Sequence, residues 1–232
     1  MIVISATGGS GSSYVVKRFK KKYRWNVCIR PDGGSQKANK TVLSVWMERT
    51  EPFFPPPVGV ETFNQRQLFE TVYNGLKQHN TDKTMVMFMV WGGMGFLNDL
   101  PEKTIFLIRN PVFAFNSYSG GGWRAEGGQR RIKFVGAGGP DDRKWIDAFL
   151  GDFSFWLDGA KNALRAVREG KGRIVRYHRF KEDWKKIDNV PPVYKGFKCR
   201  DDMGKVKRHL SSETIRYIEE RTRDVWEQIE AL

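Results

Sequence analysis

Ile105-Phe106-Leu107-Ile108-Arg109-Asn110-Pro111-Val112-Phe113-Ala114-Phe115-Asn116-Ser117-Tyr118 decides how this chain is read. Its first four residues are apolar without interruption, the pattern of a strand buried on both faces of a sheet. The character then changes within three residues. Arg109 stands at the strand's carboxyl end, Asn110 is a helix-capping residue and Pro111 suits the first helical position. Ser117 follows Arg109 by eight residues, two turns into the predicted helix. A guanidinium and a hydroxyl at the mouth of a sheet offer a fork of donors and one donor more, a set that fits a phosphate. The plainer reading is a surface ion pair and a solvated serine. A second site near the amino terminus tips the balance away from it.

That second site begins with the short apolar strand Ile2 to Ser5. Thr7-Gly8-Gly9-Ser10-Gly11-Ser12-Ser13 follows, and then Val15, Val16, Phe19 and Tyr23 at helical spacing with cations between them. The order is strand, glycine-rich turn, helix. Glycines let the backbone bend tightly and approach a ligand, and the helix start offers unpaired N–H groups to an anion. Ser10, Ser12 and Ser13 add hydroxyl donors. The turn is not a Walker A loop, because Ser12 stands where the lysine of Gly-Lys-[Ser/Thr] would be. The missing lysine argues against ordinary ATP or GTP hydrolysis.

Between and after these sites the chain alternates strands and helices. Trp25 to Ile29 reads as a strand, 31–39 as a Gly/Asn/Lys-rich loop, and 42–47 as either strand or helix. Glu51-Pro52-Phe53-Phe54-Pro55-Pro56-Pro57 is a rigid turn that lines a cleft or covers the core edge. Residues 65–78 form an amphipathic helix through Leu68, Phe69, Val72 and Leu76. Met85 to Trp91 is a buried strand. The Gly- and Arg-rich stretch 119–140 lacks periodicity and reads equally as a lid or acceptor loop and as a plain surface loop. From Asp141 to about Arg168 a long helix is predicted, with Trp145, Phe149, Phe153, Trp156, Ala160, Leu164 and Val167 as a core stripe and Gly170 and Gly172 as its stop. Ile174 to Tyr177 is the next strand. The segment 194–209 carries six cations against Asp201 and Asp202. Ser211 or Ser212 then caps a terminal helix with Ile215, Ile218, Val225, Trp226 and Ile229 on its apolar face. The expectation is a single α/β domain over 1–232 with a central, mostly parallel sheet between two helical layers. Ligands of such sheets bind at the carboxyl ends of the strands.

Composition narrows the partners. With 232 residues, 40% of them hydrophobic, the chain can bury a sizeable core and is not of the disordered class. Forty Lys and Arg against 26 Asp and Glu give a net charge of +14. That field favours polyanions: nucleotides, nucleic acid, anionic carbohydrate or an anionic membrane. Cys28 and Cys199 offer neither metal-ligand spacing nor a disulfide framework, and two buried thiols in a reducing compartment are expected. No leader and no run of membrane-spanning length is read, so a cytoplasmic protein is expected.

Three elements in order carry a family resemblance. Gly9-Ser10-Gly11-Ser12-Ser13-Tyr14 resembles the 5′-phosphosulfate loop of PAPS-dependent sulfotransferases, closest to the form found in carbohydrate sulfotransferases. Leu107 to Pro111, continuing to Ser117 and Tyr118, is similar to the family's 3′-phosphate motif, an Arg-[Asp/Asn]-Pro with a Ser eight residues after the Arg. Cys199 with Gly204-Lys205-Val206-Lys207-Arg208-His209 is similar to a segment of the heparan-type enzymes that closes over the nucleotide. The resemblance spans residues 2 to 209 and implies a fold related to nucleotide kinases, with PAPS as donor and no metal. One departure stands out: the family's Lys or Arg before the Ser-Gly is Gly9 here. Lys17, Lys205 and Lys207 are the cations that could replace it, and an inactive PAPS-binding relative is the alternative outcome.

The resemblance also implies roles. Arg109 and Ser117 would hold the 3′-phosphate. The backbone of Gly9, Ser10, Gly11, Ser12 and Ser13, with the serine hydroxyls, would hold the 5′-phosphosulfate. Lys205, Lys207 and Arg208 would close over the nucleotide, and Lys17 or Lys205 would stabilise the leaving group. Glu51, in a Glu-Pro pair like one found in Golgi carbohydrate sulfotransferases, is the candidate base, with Glu48 and His79 as rivals. The expected acceptor is a hydroxyl or amine of a small molecule or a glycan, anionic or not, with carbohydrate favoured by the loop's form and the basic surface, and with no nucleic acid or membrane required. A nucleotide or small-molecule kinase and a basic nucleic-acid-binding protein are the competing readings.

Overall fold

The computed structural model describes residues 2–6, 10–11, 15, 25–29, 84–89, 103–118, 143–147, 149–150, 156–190, 192–193 and 196–232. The described residues include five strands: β1 (Ile2–Ala6), β2 (Trp25–Ile29), β3 (Thr84–Met89), β4 (Thr104–Ile108) and β5 (Gly172–Arg176). They form one sheet in the order β2-β3-β1-β4-β5, and every pair is parallel. The register places Ile4 between Met87 and Ile105, and Ala6 between Met89 and Leu107. From β1 the chain moves to one side of the sheet, returns through β3, and then lays β4 and β5 on the other side. The order therefore reverses between β1 and β4, and the crevice at their carboxyl ends is where sheets of this kind bind ligands.

The apolar run of β4 has a direct cause. All five of its residues are buried, and the four that follow Thr104 alternate between two cores. Ile105 and Leu107 join Ile4, Val15, Val175, Tyr177, Phe180, Trp184 and Phe197 on one face. Phe106 and Ile108 join Val112, Phe115, Phe149, Trp156, Ile218 and Ile229 on the other. A strand covered on both faces has no solvent side on which to place polar residues, so its sequence shows no alternation.

The helices among the described residues are α1 (Pro111–Tyr118), α2 (Arg143–Asp147), α3 (Trp156–Arg168), α4 (Phe180–Lys185), α5 (Met203–Lys207) and α6 (Ser212–Glu230). The predicted 141–168 helix is described as α2, a π-type turn at 149–150, and α3. Its stripe is core at Phe149, Trp156, Ala160 and Leu164, while Val167 is only half-buried. Ser211, rather than Ser212, caps the terminal helix, its hydroxyl accepting from the Thr214 N–H at 3.1 Å. Neither α4 nor α5 was expected from periodicity, since five or six residues hold too few repeats to show one.

Strand edges shift by one or two residues. β5 runs from Gly172 to Arg176, two residues earlier at its start than expected, and Tyr177 opens a short 3₁₀ turn. Gly170, at φ +70°, does end α3. Gly172 does not belong to that stop: it is the first residue of β5. A Cβ there would lie 2.8 Å from the Phe106 ring and 2.9 Å from the Ala166 methyl. The glycine serves close strand-to-helix packing.

Beyond the strand, Arg176 ties three elements together. Its Nε donates to Asp183 Oδ2 and its Nη2 to Asp183 Oδ1, both at 2.8 Å. Its Nη1 reaches the Glu230 carbonyl at 3.0 Å, at the end of α6. Both partners are buried. Burial alone would push the Asp183 carboxyl up, but the hydrogen bonds and charge of Arg176 outweigh it and hold the group below its ordinary value. The expected features at 31–57, 65–78 and 119–140 lie outside the described residues.

Candidate functional site

The turn after β1 carries Ser10, fully buried, and Gly11 at φ +93°. The Gly11 carbonyl accepts from the Val15 N–H at 3.3 Å. Gly11 is required twice over. Its φ lies in the left-handed region, and a Cβ would sit 2.9 Å from two ring carbons of Tyr177. The turn's backbone thus rests directly on Tyr177, just past the carboxyl end of β5.

Arg109 leaves the end of β4 at the same mouth of the sheet. Its backbone is fixed on both sides: its carbonyl accepts from the Trp156 indole N–H at 2.8 Å, and Asn110 Oδ1 accepts from the Val112 N–H at 3.0 Å, capping α1. Asn110 and Pro111 therefore act as the sequence predicts. The guanidinium lies over the Tyr177 ring, 4.6 Å from its centroid. One aromatic ring joins the glycine turn of β1 to the arginine of β4. Burial pushes the Tyr177 hydroxyl up, against the charge of Arg109.

Arg109 is 8% exposed and holds an ion pair: both its Nε and its Nη2 lie 2.7 Å from Asp201 Oδ1. Asp201 arrives on an extended segment that begins at Phe197, whose ring stacks on Phe180 at 4.7 Å and meets Tyr177 edge-on at 5.7 Å. The segment from Phe197 to His209 crosses Arg109. It meets that arginine through an acid, while its cations face outward. Lys205, Lys207 and Arg208 are all exposed, and the Lys205 ammonium stands 3.8 Å from Asp202. Cys199 is also exposed, contrary to the expectation of two buried thiols. Its sulfur is nonetheless shielded enough for burial to push the thiol's pKa up, with Asp201 alongside.

Ser117 lies on α1 and is half-buried. Seven residues of helix set it about 10 Å along the axis from Asn110. Gly9, Ser12, Ser13, Lys17 and Glu51 lie outside the described residues, as do Glu48 and His79. The structure therefore brings together the Gly11 turn, Arg109 and the approach to α5. Two participants were missed by sequence reasoning. Tyr177 could have been found from its place at the end of a parallel strand, where ligand sites form. Asp201 was hidden in a segment read for its cations.

Among the described residues no group of His, Cys, Asp and Glu is placed to hold a metal ion, and no helix is long and apolar enough to cross a membrane. No protein-family model, no curated protein and no solved structure matches the chain.

Proposed function

We propose that the chain is a PAPS-dependent sulfotransferase that transfers a sulfuryl group to a hydroxyl or amine, with carbohydrate as the acceptor class. The observation that carries the reading is the meeting of the Gly11 turn and the buried Arg109 across Tyr177, between the reversing strands β1 and β4. A nucleotide phosphorylated at both ends needs two anion grips a short distance apart. A bent glycine backbone and a fixed guanidinium at one crevice meet that need.

In the proposed reaction the acceptor's oxygen or nitrogen attacks sulfur in line. The bond from sulfur to the 5′-phosphate oxygen breaks, and 3′,5′-adenosine bisphosphate leaves with the bonding electrons. The acceptor's proton passes to a base, for which Glu51 is the candidate. Arg109 and Ser117 grip the 3′-phosphate. The turn backbone from Gly9 to Ser13 grips the 5′ end, and a cation from Lys17, Lys205 or Lys207 meets charge on the leaving oxygen. The direct assay is release of 3′,5′-adenosine bisphosphate from PAPS in the presence of a panel of desulfated and sulfated glycans. Acceptor-dependent release supports transfer. Bisphosphate binding without release for any acceptor identifies a binding relative, the outcome that Gly9 in place of a cation would favour.

A nucleotide kinase is the nearest rival, because a strand–glycine turn–helix unit beside a parallel sheet also serves phosphoryl transfer. Ser12 in place of the Walker lysine weighs against it.

A further inference from the structure

Among the described residues, two buried arginines each face an aspartate, and the two pairs are built differently. Arg176 and Asp183 meet fork to fork, with Nε on one carboxylate oxygen and Nη2 on the other, each at 2.8 Å. Asp183 also accepts from the Arg176 backbone N–H at 2.9 Å. The aspartate belongs to α4 and is itself buried. This pair has the geometry of a permanent brace. At Arg109 both nitrogens converge on the single oxygen Oδ1 of Asp201. Asp201 is carried on an extended segment whose nearest apolar anchor is Phe197, four residues back. The two pairs thus differ in what the fork meets: both carboxylate oxygens at Asp183, and Oδ1 at Asp201.

We propose that the Asp201 carboxylate is an internal stand-in for the ligand's phosphate, so that nucleotide binding is an exchange in which phosphate takes Arg109 and the 198–202 strap is released. The proposal rests on the assignment of Arg109 to a phosphate. Its physical basis is that a buried guanidinium needs a counter-charge, and Asp201 supplies one where a phosphate would compete for it. A phosphate can accept the guanidinium fork with two oxygens, whereas Nε and Nη2 both meet the one oxygen Oδ1 of Asp201. Release would swing Lys198 and Arg200, both exposed, along with the strap that bears them. The site would thus be closed by its own aspartate until the doubly phosphorylated nucleotide arrives.

The cost of such a latch is a lowered apparent affinity, because only the unlatched fraction is competent to bind. Asp201→Asn should therefore bind 3′,5′-adenosine bisphosphate at least about tenfold more tightly than the natural chain, as expected if the latch is closed about nine-tenths of the time or more. A readout free of that substitution uses Cys199. In a Cys28→Ser background, the rate at which a maleimide labels Cys199 should rise when the bisphosphate saturates the protein. In Asp201→Asn the rate should be high already and should not rise further. Equal or weaker binding by Asp201→Asn, or labelling of the Cys28→Ser protein that is unchanged or slowed by ligand, would overturn the latch. If no variant binds the bisphosphate up to millimolar concentration, the phosphate assignment of Arg109 falls and the latch falls with it. That result differs visibly from equal binding by both proteins, which removes the latch alone.

Discussion

At the scale of single residues, the contrast between Arg109 and Arg176 separates the arginine proposed to take a phosphate from a structural one. Arg109→Lys keeps the charge and loses the planar fork, so bisphosphate affinity should fall by about tenfold or more, the worth of roughly 1.5 kcal/mol in a charged hydrogen bond. A change of less than about threefold by calorimetry would remove Arg109 from the phosphate site. Asp183 carries a different prediction. Its folded carboxyl lies below the ordinary value, so its contribution is full above the unfolded pKa of about 3.9 and is lost as pH falls through the lower folded value. Asp183→Asn should cost about 3–5 kcal/mol near neutral pH by leaving Arg176 buried without its counter-charge. The gap between natural and substituted chains in urea denaturation should narrow toward pH 2. A gap that stays constant with pH would mean that the pair does not titrate with folding.

At the scale of elements, close packing predicts the sensitive positions. Gly172→Ala would press a methyl against both the Phe106 ring and Ala166, overpacking the join of β4, β5 and α3. The expected loss is about 1–3 kcal/mol, read as a lowered urea midpoint; an unchanged midpoint would show that the ring swings aside freely. The same join shows why some elements were legible in sequence and others were not. β4 declared itself because burial on both faces forces an unbroken apolar run, and α1 because Asn110 and Pro111 are start signals with a mechanism. The core positions of α6 followed from spacing that nineteen residues make unmistakable. Gly172 misled because a glycine after a helix has two physical causes, a stop and a close approach, and only contact with Phe106 separates them. At the site, Arg109 was legible as the charged residue that ends an apolar strand. Tyr177 and Asp201 were not, because their roles arise from β5 and the 197–202 strap meeting β4 in space, 68 and 92 residues along the chain from Arg109.

At the scale of the molecule, the order β2-β3-β1-β4-β5 turns two separate turns into one crevice. Neither the Gly11 turn nor Arg109 is distinctive alone. Their adjacency is created by β1 and β4 pairing in register from Val3 opposite Thr104 to Ala6 opposite Leu107. The +14 charge adds a long-range field that would draw an anionic nucleotide or glycan toward the protein and would weaken with salt. It draws nucleic acid as well, so charge alone does not choose among polyanions. The most direct test is calorimetric titration with 3′,5′-adenosine bisphosphate beside ATP with magnesium. Micromolar binding of the bisphosphate and much weaker binding of ATP are expected. Tight, magnesium-dependent ATP binding with no response to the bisphosphate would contradict the sulfotransferase reading and put the kinase reading in its place.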